Sequence, residues 1–247
     1  MRFCTSLDGE KTRPVFGGEC LSIKMSEIII RSYQPGDEPA IEAITYRTGF
    51  KGDDLTGRKY CDDAHLWFLI FIGYYTRYEP EHCFVAVEGE QVIGFICGTP
   101  DTLAQEVRFR QKVVLRAALR LFGYTSWRYP RSFKTVLGLA RQYAAEPKNT
   151  ENDPILTQYP AHLHINVLPG HQSQGVGTQL IRRFENHMRG LGVSGLHLGT
   201  TSKNHKAVPF YHKMGFELVE DSGIVPHAEF DDLRYLTFAK KLETLKS

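Results

Sequence analysis

Between Ile165 and Thr178 the chain reads INVLPGHQSQGVGT. An apolar run gives way to Pro169-Gly170, and a short polar loop containing Gly175 and Gly177 opens onto a helical pattern. Such a corner can hold a phosphate. Glycines let the backbone approach an anion closely, and the first turn of a helix offers unpaired N–H groups at the positive end of its dipole. The cradle would comprise Gln172, Ser173, Gln174, Gly175, Val176, Gly177 and Thr178. Neither the GxxxxGK nor the GxGxxG phosphate loop fits, because no Lys follows Gly177 and Gly175 lacks the partners it would need. Taken alone, the loop is equally a strand–turn–helix corner whose glycines serve packing.

A second group precedes it. On the strand predicted at Ala161–Val167, His162, His164 and Asn166 alternate with Leu163, Ile165 and Val167, so the three polar side chains share one face. A polar face beside a phosphate cradle is where a general base would sit. His164 is the first choice, since an imidazole titrates near neutrality unaided. A hydrogen-bonded structural pair of histidines is the alternative, and Asp101 and Asp153 on flanking loops are further candidates. No metal is expected: two His at i, i+2 have no third ligand at supporting spacing, and His171, His187, His197 and His212 are scattered.

The third group is Asn204–Phe216, NHKAVPFYHKMGF. The loop Gln172-x-x-Gly175-x-Gly177, followed after a strand by Asn204, Ala207, Phe210, Tyr211, Gly215 and Phe216, resembles the acetyl-coenzyme A binding core of the GNAT superfamily of N-acetyltransferases. The resemblance implies transfer of an acetyl group from acetyl-CoA to a primary amine by direct attack, with no metal. It implies a coenzyme site at Val167, Leu168, Gln172–Thr178, Asn204 and Tyr211, with Tyr211 beside the coenzyme sulfur as general acid. Adjacent helical residues point about 100° apart, so Phe210 is assigned to packing. Acyl transfer also needs a donor where charge develops on the thioester oxygen, and a splayed strand end at Asn166–Leu168 would offer backbone N–H groups. A non-catalytic acyl-CoA sensor or interaction domain on the same fold is the alternative.

The stretch Tyr159–Ile165, with His197-Leu198-Gly199, further resembles the acetyltransferase-like domains related to O-GlcNAc hydrolases. There the position of Asn166 is usually Asp. An amide cannot accept the acceptor's proton, so Asn166 is left out of the acid–base roles.

These residues need elements to hold them. A strand is predicted at 26–33, a helix from Asp37 to Arg47, a second helix at 62–78 carrying the apolar run Leu66–Tyr75, and a hairpin turning at Gly89-Glu90. After the strand at Ala161–Val167 come a helix at Val176–Arg189, a strand at Gly195–Gly199, a helix at Asn204–Met214 and closing strands at Phe216–Val219 and Leu233–Ala239. The pattern predicts a mixed α/β (α+β) GNAT fold, with a central, mostly antiparallel sheet flanked by helices on both faces. Residues 1–24 read as a flexible extension and 25–247 as one domain, with a basic helical insertion at about 103–155. In that insertion Leu115, Leu119 and Phe122 fall at helical spacing and are expected to turn inward under a solvated basic face. The other reading of its charges is a lid for an acidic substrate, or a surface for the coenzyme's phosphates.

Whole-chain numbers set bounds. The 247 residues are 42% hydrophobic and 23% charged, with 30 Lys+Arg against 28 Asp+Glu. That mix builds a core, and the balance requires neither nucleic acid nor a membrane as partner. Five scattered cysteines without a CxxC pair read as reduced thiols, and no apolar leader opens the chain, so a cytoplasmic location is expected. The amine acceptor is a small molecule or a protein, and a homodimer is compatible with the reading.

Overall fold

A computed structural model describes residues 27–49, 52–56, 61–145, 153–224 and 231–243. The predicted extension at 1–24 and part of the insertion, 146–152, lie outside the described residues.

The strands are β1 (Ile28–Ser32), β2 (Phe84–Glu88), β3 (Gln91–Thr99), β4 (Ala161–Val167), β5 (Gly195–Thr201), β6 (Glu217–Ile224) and β7 (Arg234–Lys241). They form one sheet in the order β1-β2-β3-β4-β5-β7-β6. Every neighbouring pair is antiparallel except β4–β5, which is parallel. The β2–β3 hairpin closes at Glu88↔Gln91, and the left-handed backbone of Gly89 (φ 62°) permits that two-residue turn.

The sheet carries helices on both faces. One face packs against α9 (Val176–Gly190), whose buried Val176, Leu180, Ile181, Phe184 and Met188 recur at helical spacing, and against α10 (Ala207–Lys213). The other packs against α1 (Glu38–Arg47), α2 (Ala64–Phe71) and α3 (Gly73–Tyr78). The single helix expected at 62–78 is thus two, bent at Ile72, yet the run Leu66–Tyr75 is buried over most of its length as predicted.

Between β3 and β4 the chain is helical: α4 (Thr102–Lys112), α5 (Val114–Arg120), a wide turn at Leu121–Thr125, a short turn α6 (Ser126–Arg128), α7 (Pro130–Ala145) and α8 (Pro154–Gln158). Leu121 and Val136 join Leu55, Leu66 and Trp67 in a small core of their own. A buried ion pair ties this segment down. Asp63, 1% exposed, caps α2 by accepting from Leu66 N–H, and Arg120 grips both its oxygens while Thr125 donates to it at 2.5 Å. Burial alone would raise the Asp63 carboxyl, but Arg120, Thr125 and the Leu66 amide together hold it below its ordinary range.

The inward turn expected of Leu115, Leu119 and Phe122 is corrected: they are 66%, 66% and 60% exposed. Periodicity marks an apolar face but not what covers it. In α5 no residue is buried, and α5 leans on α2 with its small residues.

Candidate functional site

The parallel pairing of β4 with β5 is confined to Ala161↔Leu196 and His162↔His197. On its other edge β4 stays paired with β3 as far as Gly94↔Val167, and Leu168 N–H reaches Ile93 O at 2.8 Å. From Leu163 onward, therefore, β4 borders a wedge where β5 has parted from it. Backbone N–H groups point alternately to the two edges of a strand. Leu168 N–H faces β3, so those of Val167 and Ile165 face the wedge.

The loop leaving β4 is held at the mouth of that wedge. Gln172 Nε2 donates to Val167 O at 3.1 Å, and Gln172 Oε1 accepts from Lys206 Nζ at 3.3 Å, which staples the loop to the start of α10. Its side chain is thus spent on the protein, leaving the main chain to meet a ligand. Gly170 (φ 94°), Ser173 (φ 63°) and Gly175 (φ 84°) are left-handed, and such turns aim successive amides inward as an anion nest. The first loop and helix bonds flanking the nest are His171 N to Leu168 O and Gln179 N to Gly175 O. Among the described residues no main-chain acceptor outside α9 meets the amides of 175–178.

The two predicted glycines differ in duty. A Cβ at Gly175 would meet nothing within 4 Å, so that position is open and needs glycine for its backbone conformation. A Cβ at Gly177 would lie 3.0 Å from the Phe210 ring, which packs α10 onto the start of α9. Phe210 is therefore the packing residue. Val176 is buried in the core, and Asn204 Oδ1 accepts from the N–H of Ala207, the first residue of α10, at 3.2 Å.

Tyr211 sits on α10 with rings of Phe210, Phe216 and Phe238 around it. It is 8% exposed, and burial pushes its hydroxyl up to about 12. No described residue hydrogen-bonds that hydroxyl, yet it is not among the sealed orphans, which are Glu79 Oε2, His171 Nδ1 and Thr201 Oγ1. Its oxygen is therefore not fully sealed, and it stands as a neutral O–H.

His164 lies on the opposite face of the sheet. It lines a cavity of about 180 Å³ with Ile70, Phe71, Tyr75, Gln105, Glu106 and Phe109. A hydrogen-bond chain sets its tautomer. The Thr102 hydroxyl donates to Pro160 O at 2.7 Å, so at 2.8 Å from His162 Nδ1 it accepts. His162 Nε2 then accepts from the Tyr75 hydroxyl at 2.5 Å, leaving the Tyr75 oxygen to accept from His164 Nε2–H at 3.3 Å. The lone pair of His164 is consequently on Nδ1. Burial, then the nearby His197, lowers His164 to about 4, and burial with His164 and His197 lowers His162 well below its usual value. Both are neutral at pH 7. Asn166 donates to Thr48 Oγ1 at 2.6 Å. Asp101 and Asp153 accept from amides at the starts of α4 and α8 and serve as caps.

Tyr75, Thr102 and the cavity residues on α4 were not legible beforehand. Tyr75 reads as core within an apolar run, and nothing local marks its hydroxyl as the link between two histidines 87 and 89 positions away. Among the described residues no cluster of three or more metal-ligating side chains occurs.

Comparison with known proteins agrees with this geometry. Residues 137–216, which span β4, the loop, β5 and α10, match the model of the Acetyltransferase (GNAT) family. Of solved structures, SsHAT is 28% identical with a TM-score of 0.66, covering 87% of this chain and 98% of its own. An N-acetyltransferase from Staphylococcus aureus Mu50 is 15% identical with a TM-score of 0.54 over 88% of this chain and 100% of its own. The putative acetyltransferase yncA from Salmonella typhimurium, solved with its cofactor acetyl-CoA, is 15% identical with a TM-score of 0.53 over 90% and 98%. The parted strands and the amide nest fall within the segment 137–216 that is similar to the Acetyltransferase (GNAT) family, on a fold shared with SsHAT.

Proposed function

We propose that the protein transfers an acetyl group from acetyl-CoA to a primary amine. The observation that carries this reading is the run of unpaired amides at 175–178, opening beside the wedge between β4 and β5. A diphosphate suits that nest, because the amides and the α9 dipole supply positive potential without a metal. An open Gly175 and an edge of β4 free of pairing leave room for the arm of the coenzyme. Bound there, acetyl-CoA supplies an activated thioester.

The protein's own residues divide the rest of the work. The Val167 N–H, turned to the wedge, meets oxygen on which negative charge develops. Tyr211, neutral and unpartnered, donates a proton to the departing thiolate from the α10 side and regains one, through water, from the nitrogen as it becomes the amide. The acceptor amine approaches from the other face, through the cavity of His164, Tyr75 and Glu106. A lysine-like amine is protonated at neutral pH, with a pKa of ~10.4. His164 at about 4 is a poor match for that proton. Its Nδ1 instead holds the amine that has already shed a proton to water, and it orients the nitrogen lone pair toward the wedge.

Calorimetry with acetyl-CoA followed by a thiol-release assay across an amine panel tests the proposal. The expected result is binding, and turnover with at least one amine. Absence of acetyl-CoA binding overturns the whole reading, whereas binding without turnover across a broad panel replaces it with an acyl-CoA sensor.

A further inference from the structure

The helices between β3 and β4 hold an exposed apolar ridge. Leu115, Leu119 and Phe122 recur at i, i+4 and i+7 and are about two-thirds exposed, and Trp127 beyond them is 82% exposed. Isolated apolar residues on a surface need no explanation, but a contiguous helical stripe with an exposed Trp marks a contact face. Between residues 107 and 145 there are nine Lys and Arg and no Asp or Glu. Three of the nine are paired, Arg108 with Glu79, Arg110 with Glu106 and Arg120 with Asp63. The remaining six make no ion pair among the described residues, and Lys112 and Arg116 flank the ridge.

We infer that this face docks the protein on an anionic lipid surface. The occupant must be negative, because the segment has no acid of its own. A second copy is a poor occupant, since a two-fold contact would set like against like across the whole face. The apolar side chains stand out from the helix instead of lining a groove, and Leu, Phe and Trp beside Arg and Lys is the composition that settles into a headgroup layer. Basic residues then hold the helix to the anionic leaflet. This is attachment to a surface and not insertion, and no described helix is long and apolar enough to cross a membrane. The inference does not depend on the acetyltransferase reading.

The test is sedimentation of the full chain with vesicles of phosphatidylcholine alone or with phosphatidylserine, at low and high salt. Binding to the phosphatidylserine vesicles is expected to be at least about tenfold tighter at low salt and to weaken with added salt. Leu119→Glu and Trp127→Glu should each weaken it by about tenfold or more while leaving the melting temperature unchanged, because both side chains already face solvent. Tryptophan emission should shift to the blue on vesicle binding, and Trp127→Phe should abolish the shift while keeping the binding; the other Trp, Trp67, is buried. Equal binding to both vesicle types, no binding to either, or full binding by both Glu variants overturns the proposal. Binding of polyglutamate without binding of vesicles overturns it too and assigns the face to an acidic polypeptide.

Discussion

Tyr211 and His164 stand on opposite faces of one sheet, and their environments give them different tasks. The Tyr211 hydroxyl, pushed up to about 12 by burial, keeps its proton at any working pH and so meets the departing sulfur as a neutral hydrogen-bond donor. Tyr211→Phe removes one oxygen from an aromatic cluster and leaves its rings in contact. The kcat should fall by roughly 10–100-fold with acetyl-CoA affinity nearly unchanged, measured by thiol release and calorimetry. An unaltered kcat would take Tyr211 out of the mechanism. His164 gives a prediction of a different form. With its own titration moved to about 4, it contributes no break near pH 6.5. The profile of kcat/KM should rise through neutrality and follow the acceptor amine's ionisation. A distinct inflection near pH 6.5 would instead assign proton removal to a solvated imidazole elsewhere.

At the scale of elements, the nest depends on how two helices and one strand end meet. Gly175→Ala puts a Cβ into open space but forces an alanine to φ 84°, at a cost of ~1–2 kcal/mol. The loop should relax away from its left-handed turn, loosening acetyl-CoA by about tenfold, whereas an unchanged dissociation constant in calorimetry would show that the nest is not the phosphate site. Arg120 anchors the insertion in the same local sense. Arg120→Ala strands the Asp63 carboxylate at 1% exposure, and leaving a buried charge alone costs ~3 kcal/mol. For a chain this long the melting temperature should drop by about 10 °C; a drop under ~2 °C would mean the pair is dispensable. The sequence showed the strand–loop–helix corner and the α10 motif in full, because both are local. The hairpin was legible for the same reason. Three things were not: the bend at Ile72, the outward turn of Leu115 and Leu119, and the capping duty of Asp101 and Asp153. Each depends on a partner distant in sequence, or on a competition between a side chain's catalytic and structural uses that residue type does not reveal.

For the whole molecule, holding His162 and His164 between the sheet and α3 has a consequence for stability. An ordinary histidine binds its proton near ~6.5, as these would in the unfolded chain. In the folded chain burial lowers His164 to about 4 and holds His162 well below its ordinary value. The unfolded state therefore binds more protons between those limits, and stability falls as pH falls. The contribution is complete above pH 6.5 and is lost on the way down to about 4. A tenfold loss of proton affinity on folding is worth ~1.4 kcal/mol, so His164 alone accounts for ~3 kcal/mol over that window. Carboxylates act elsewhere: Asp37, held down by Arg31, and Asp63 release their contributions only below the normal carboxylate range. Urea unfolding at pH 7 and pH 5 separates the two. The wild-type chain should lose about 2 kcal/mol or more across that step, and His164→Gln, whose amide does not titrate, should lose visibly less. Identical losses in both proteins would mean that His164 is solvated in the folded chain and keeps an ordinary proton affinity there.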